Sequence, residues 1–251
     1  MKALDEGYRE SRMRENRTYG LTRGRVKLLS HSLYSTVNLL VQVHYNISYP
    51  KKKMKKVLLL LCEGVEVLEA AAFYDVLGWS GASGLDPVKV ITVGLQTEVN
   101  CSFGLKIIPD ALLQGIDVKQ FDALAIPGGF EAFGFYKDAY SEQVIGFIKH
   151  FGELKKPIAS ICVGALPVAK TGLLNGQRGT TYHLMDGKRR RQLAEFGVQV
   201  IDEPIVRSNN IITSTSPATA VEVAFNLLAE LTSLENANRV RYLMGFSGNA
   251  P

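Results

Sequence analysis

Three stretches of this 251-residue chain place chemically capable residues beside turns: Cys62-Glu63-Gly64, Pro127-Gly128-Gly129 and Ser160-Ile161-Cys162-Val163-Gly164. The third is arranged for nucleophilic chemistry. An apolar run from Pro157 to Ile161 passes directly into Cys162, and Gly164 is small enough to let the chain turn there into a helical segment. A thiol at a helix amino terminus meets free N–H groups and the positive end of the helix dipole, so its pKa is expected to be lowered. Such a group is a nucleophile and an oxidation target at once. The plainer reading, a small buried hydrophobe, describes most free cysteines; the strand-to-turn placement favours the reactive one. Cys62, closing the wholly apolar run from Val57, reads as inert core, and Cys101, in polar surroundings, as an exposed bystander.

The elements needed to position these residues follow from hydrophobic patterning. Val57 to Cys62 is a continuous apolar run, the pattern of a strand buried on both faces of a parallel sheet, and Val88 to Val93, Ala123 to Ile126 and Pro157 to Ile161 read as further strands. Helical spacing appears over Val67 to Leu77, Ser141 to Phe151, Val163 to Leu173, Lys188 to Phe196 and, as one long final helix, Ala218 to Leu234. Val99 to Pro109 reads as edge hairpin material and Val198 to Ile201 as a strand. Ile205–Arg207 and Ile211–Thr213, joined at Asn209-Asn210, read as a hairpin or two edge strands. Alternating strands and helices predict an α/β, flavodoxin-like, doubly wound and mostly parallel sheet with helices on both faces. Ligands of such sheets gather at the carboxyl ends of the strands, where all three stretches lie.

Charge divides the chain. Residues 1 to 53 hold 11 Lys and Arg against 4 Asp and Glu, whereas residues 54 to 251 hold 18 against 20. The overall charge of +5 therefore belongs to the first segment. That segment reads as a disordered or non-native extension of a domain spanning 54–251. With no basic excess in the domain, nucleic acid is not an expected partner, and Lys188-Arg189-Arg190-Arg191 reads as a solvated helix face. The apolar run from Val57 to Cys62 is too short to span a bilayer. Three cysteines without C-x-x-C spacing fit neither a disulfide framework nor a zinc site, so no metal and a reducing, cytoplasmic setting are expected.

The string Ala159-Ser160-Ile161-Cys162-Val163-Gly164-Ala165, the upstream Pro127-Gly128-Gly129, and Gly64-Val65-Glu66-Val67-Leu68-Glu69 after the first strand resemble the ThiJ/PfpI superfamily, close to its branch containing the Parkinson-associated protein deglycase. The resemblance runs from about Lys55 to Phe246. It implies roles that residue type alone does not give. Glu69 matches a carboxyl hydrogen-bonded to the cysteine, although by itself it would read as a first-turn residue favoured by the helix dipole. His183 matches a histidine near the cysteine, although by itself it would read as a loop residue. The N–H groups of Gly129 and Val163 would form the oxyanion hole.

The resemblance further implies a cofactor-independent glyoxalase or deglycase acting on 2-oxoaldehydes such as methylglyoxal or on their protein adducts, and a homodimer. A redox-sensing, stress-protective role of Cys162 is the alternative, and isonitrile hydration a third reading. Departures narrow the choice. Val163 stands where PfpI-type peptidases have a histidine, which argues against proteolysis. Glu69 replaces the aspartate of isonitrile hydratases, and Ser214 to Thr219 lacks the His-x-Glu pair of glutamine amidotransferases. Nor is room left before Pro251 for the helix-turn-helix of the family's regulators. Phe130, Glu131, Phe133 and Phe135 are candidate substrate-selecting side chains.

Overall fold

The structure, a computed structural model, describes residues 53–246. Expectations for the amino-terminal extension fall, Lys53 apart, outside the described residues. The main sheet has seven strands in the order β10-β11-β7-β6-β1-β2-β5. Its members are β1 (Lys55–Leu61), β2 (Val88–Gly94), β5 (Ala111–Leu112), β6 (Ala123–Ile126), β7 (Ile158–Ser160), β10 (Ile205–Ser208) and β11 (Ile211–Ser214). All pairings are parallel except β10 with β11. The chain therefore folds as the mostly parallel, doubly wound α/β sheet read from the sequence. Outside that sheet, β3 (Val99–Asn100) pairs with β4 (Lys106–Ile107), and β8 (Arg178–Gly179) with β9 (Gln199–Val200).

The apolar run of β1 is explained by its central position. Leu58 faces Ile91 on one side and Leu124 on the other, and Val57 to Leu61 are all buried. From β1 the chain moves to β2 through α1 (Val67–Ser83), whereas from β6 it moves the opposite way to β7 through α2 (Phe135–Ala139) and α3 (Glu142–Glu153). Right-handed crossovers in opposite directions put α1 and α3 on opposite faces. Accordingly α1 packs with α6 (Ala220–Leu231) and α7 (Leu234–Leu243), while α3 packs with α4 (Ala165–Lys170), and α4 with α5 (Lys188–Glu195). Where the direction of winding reverses, between β1 and β6, the strand ends leave a crevice for chemistry.

Two sequence expectations change. The single final helix is two helices: Thr232 leaves helical geometry, and the Ser233 side chain accepts from Asn236 N–H at 3.1 Å to start α7. The helix expected from Val163 to Leu173 is shorter, a 3₁₀ turn over Cys162–Gly164 followed by the six residues of α4.

Candidate active site

Cys162 follows β7 by one residue, and Ile161 N–H still donates to Ile126 O at 3.0 Å as an extension of the sheet. The chain then turns abruptly. Cys162 adopts φ 55°, a left-handed conformation that side chains rarely take, and so projects its sulfur out of the strand direction. Gly164 permits the turn, since a Cβ there would lie 2.6 Å from Ile126 O. Thr181 Oγ1 donates to Cys162 O at 2.8 Å and pins the peptide from the far side. The side chain is nearly enclosed, with 9% of the residue accessible.

Glu69 comes from a different connection, the first turn of α1, and is fully buried. Gly128 N–H donates to Glu69 Oε2 at 2.5 Å. The thiol of Cys162 lies against the same carboxyl and interacts with it. The contact is looser than an ordinary hydrogen bond, for Oε1 has no partner among the described residues. Gly128 is the spacer at this junction: a Cβ on it would lie 3.0 Å from each of Glu69 Oε2, Ile161 O and Val163 N.

Burial pushes the Glu69 carboxyl up to about 8; the Gly128 N–H and Cys162 oppose this, and the charge of Glu66 adds to it. Burial also pushes the Cys162 thiol up, ionised Glu69 pushes the same way, and the Val163 N–H hydrogen bond pulls down. The expectation of a thiol lowered by the helix mouth is thereby corrected. A short 3₁₀ turn and a six-residue helix do not outweigh loss of water around the sulfur. Glu69, raised to about 8, is the first of the two to ionise; while it keeps its proton it favours a thiolate beside it, and once ionised it opposes one.

The oxyanion-hole candidates border the same spot. Val163 N–H lies close enough to the Cys162 sulfur to favour its ionised form. Gly129 forms an isolated antiparallel bridge with Val65, flanked by Glu66 N–H to Gly128 O at 2.9 Å and Phe130 N–H to Gly64 O at 3.0 Å. In that arrangement the N–H of Gly129 points away from the bridge. His183 is not joined to the pair: it makes no hydrogen bond to Cys162 or Glu69 among the described residues. Its Nδ1 is buried without a partner among the described residues.

The candidate selector residues divide. Phe135 is buried core, and a Cβ on Gly129 would collide with its ring. Phe130 and Phe133 are exposed, while Glu131 accepts from Lys188 Nζ at 3.0 Å and Arg189 at 2.6 Å. Arg189 is 14% exposed at its side chain and stacks over Tyr136, 4.8 Å from the ring centre, while Arg190 pairs with Asp202. The basic run is therefore tied into the molecule and not a free solvated face. Tyr136, absent from the sequence reading, is electrostatically coupled to Cys162, and its buried hydroxyl has no partner among the described residues. Its adjacency to Phe135 in the Phe135-Tyr136 pair was the available signal. Cys62 and Cys101 are both buried free thiols pushed up by burial, which corrects the exposed reading of Cys101. No cluster of metal-ligating side chains occurs among the described residues.

The profile of the DJ-1/PfpI family matches residues 55–230. The chain belongs to the DJ-1/PfpI family. Within it, Protein dj-1beta of Drosophila melanogaster is 31% identical over 195 residues, covering 74% of this chain and 94% of that one. The crystal structure of Drosophila melanogaster DJ-1beta superposes with a TM-score of 0.68 at 28% identity, covering 78% of this chain and all of that one. The glutathione-independent glyoxalase DJR-1.2 of Caenorhabditis elegans is 30% identical over 182 residues, covering 72% and 90%. Protein DJ-1 homolog A of Arabidopsis thaliana is 30% identical over 191 residues, and the match spans 76% of this chain and 46% of that protein.

Proposed function

We propose that this chain is a cysteine-dependent, cofactor-independent glyoxalase or deglycase acting on 2-oxoaldehydes such as methylglyoxal or on their protein adducts. The observation that carries the reading is Glu69 Oε1, a buried carboxyl oxygen without a partner beside the Cys162 thiol. In this reading the thiolate adds to the aldehyde carbon, forming the C–S bond, and Glu69 gives its proton to the resulting alkoxide. As a carboxylate, Glu69 then removes the proton from that carbon. An enediol forms and is reprotonated on the neighbouring carbon, leaving a thioester of the hydroxy acid. Water cleaves the thioester and returns the thiolate, so the net reaction is addition of one water to methylglyoxal to give lactate. The N–H groups of Gly129 and Val163 are assigned to the developing oxyanion. His183 is assigned to the proton of the attacking water, a role supported by its unpartnered buried Nδ1. The relative named as a glutathione-independent glyoxalase supports the same reading. Lactate formation from methylglyoxal by the wild type and by Cys162→Ser tests it: turnover lost in the variant is expected, and equal rates reject the proposal.

A second reading, redox sensing, draws on the same carboxyl. Protonated Glu69 would donate to the oxygens of a Cys162 sulfinate formed by hydrogen peroxide, each oxygen added with loss of one water. Selective oxidation of Cys162 without aldehyde turnover would favour it. A homodimer is also proposed, supported by exposed Tyr74 and Ile108 around a cavity of about 300 Å³ that Val67, Ala71 and Ile107 also line. Sedimentation tests that directly. Three free thiols support a reducing, cytoplasmic setting, and no helix among the described residues is long and apolar enough to cross a membrane.

A further inference from the structure

Phe103, Phe130 and Phe133 form a closed triangle of edge-to-face rings, with centroids 5.2, 5.6 and 6.1 Å apart. Rings that serve only as packing are normally covered, yet these are 72%, 42% and 43% exposed. Phe103 is held there against its backbone preference, at φ 63° on the tip of the β3–β4 hairpin. Its neighbour Ser102 fixes the tip to the loop after β1, with Oγ 3.0 Å from both Gly64 O and Val65 O and Ser102 N–H donating to Val65 O at 2.9 Å. Gly64 in turn seats the other two rings. Its carbonyl accepts from Phe130 N–H at 3.0 Å, and a Cβ on it would lie 2.7 Å from Phe133 O.

This cluster is joined to the reacting centre through the backbone: Phe130 directly follows Gly129, and the position a Gly128 Cβ would take is 3.0 Å from the nitrogen of Val163, the residue after Cys162. The one carboxylate in the segment, Glu131, is drawn to Lys188 and Arg189. We propose that Phe103, Phe130 and Phe133 are an aromatic wall at the mouth of the site that selects 2-oxoaldehydes carrying an aryl or comparably bulky apolar group. A phenyl group in place of the methyl of methylglyoxal offers the edge and face against which such rings pack, and a methyl group offers neither. The proposal deepens the glyoxalase reading and rests on it for the identity of the reacting group.

The test separates recognition from turnover. Cys162 displaces bromide from α-bromoketones, forming a C–S bond as the C–Br bond breaks, whether or not the enzyme turns over aldehydes. Rates with phenacyl bromide and bromoacetone are measured, each relative to the same reagent with a small free thiol. The wild type is expected to favour the aryl reagent. In Phe103→Gly, which suits the positive φ, and in Phe130→Leu, which keeps apolar volume, the preference falls, by about tenfold (~1.4 kcal/mol) when both are combined. An unchanged ratio overturns the proposal, as does a uniform loss with both reagents. An unchanged ratio accompanied by loss of dimer mass in sedimentation overturns it in favour of a subunit interface. If the ratio falls while neither phenylglyoxal nor methylglyoxal is consumed, aryl recognition stands and the glyoxalase reading fails.

Discussion

The Glu69 carboxyl and the Cys162 thiol face one another from two different strand connections, with one carboxyl oxygen bound to Gly128 N–H and the other unpartnered. Both groups resist ionisation by burial, and the charge on Glu69 opposes the charge on the sulfur, which governs reactivity.

Reactivity should follow the pair. Below about pH 8 Glu69 holds its proton and any thiolate gains with rising pH; above it the ionised carboxyl opposes the thiolate as fast as pH favours it. Cys162 alkylation by iodoacetamide should therefore rise about tenfold per pH unit up to roughly pH 8 and then level. In Glu69→Gln the levelling should move to higher pH, because burial still opposes the thiolate. An unshifted profile in the variant would show that the carboxyl does not govern the sulfur.

Stability should vary with pH in a defined direction. Below pH 4.5 the carboxyl is protonated in folded and unfolded chains alike. Between 4.5 and about 8 only the folded chain keeps the proton, so the unfolded state is favoured progressively as pH rises, and the loss is complete above the folded value. At about 1.4 kcal/mol per pH unit the window spans roughly 4–5 kcal/mol. Urea unfolding of the wild type relative to Glu69→Gln should show this decline, and a constant difference across the window would refute it.

Gly128→Ala should damage both Glu69 and the elbow. Its methyl would press on Glu69 Oε2, Ile161 O and Val163 N, each at 3.0 Å, and two of these belong to backbone. We expect a cost of about 1–3 kcal/mol in unfolding and a fall of about tenfold or more in Cys162 alkylation. Wild-type values for both would mean that the junction yields easily.

Asn236 is the polar key between α7 and α1. Its Oδ1 accepts from Leu85 N–H at 2.7 Å, and its Nδ2 reaches Ser80 Oγ and Asp86 O at 3.1 Å and Thr232 Oγ1 at 3.0 Å. Asn236→Ala would remove all of these bonds and leave Leu85 N–H unpaired, and a loss of about 2–4 kcal/mol is expected from denaturant titration. A loss below about 0.5 kcal/mol, typical of a surface change, would contradict the assignment.

The strands, the opposed winding and the Cys162 turn were legible because they are local: continuous apolar runs make buried strands, and a cysteine between such a run and Gly164 marks an elbow. Glu69 was legible only through resemblance, since a glutamate in a first helical turn has an ordinary explanation. Other features depend on distant parts of the chain. The direction of the Cys162 shift is set by burial, which no local string encodes, and Phe103 meets Phe130 only because Ser102 docks on Gly64 and Val65. The break at Thr232 was overlooked because the apolar stripe before it is strong; Ser233 with Asn236 three residues on was the available cue.

The hydroxyl of Thr181 on the Cys162 carbonyl has a mechanical meaning. It ties the nucleophile's own peptide to the irregular segment that follows β8 and continues into Tyr182 and His183. Cys162 holds a left-handed conformation that side chains rarely take, so the bond from Thr181 acts as a brace that keeps the nucleophile's peptide from relaxing into an ordinary one.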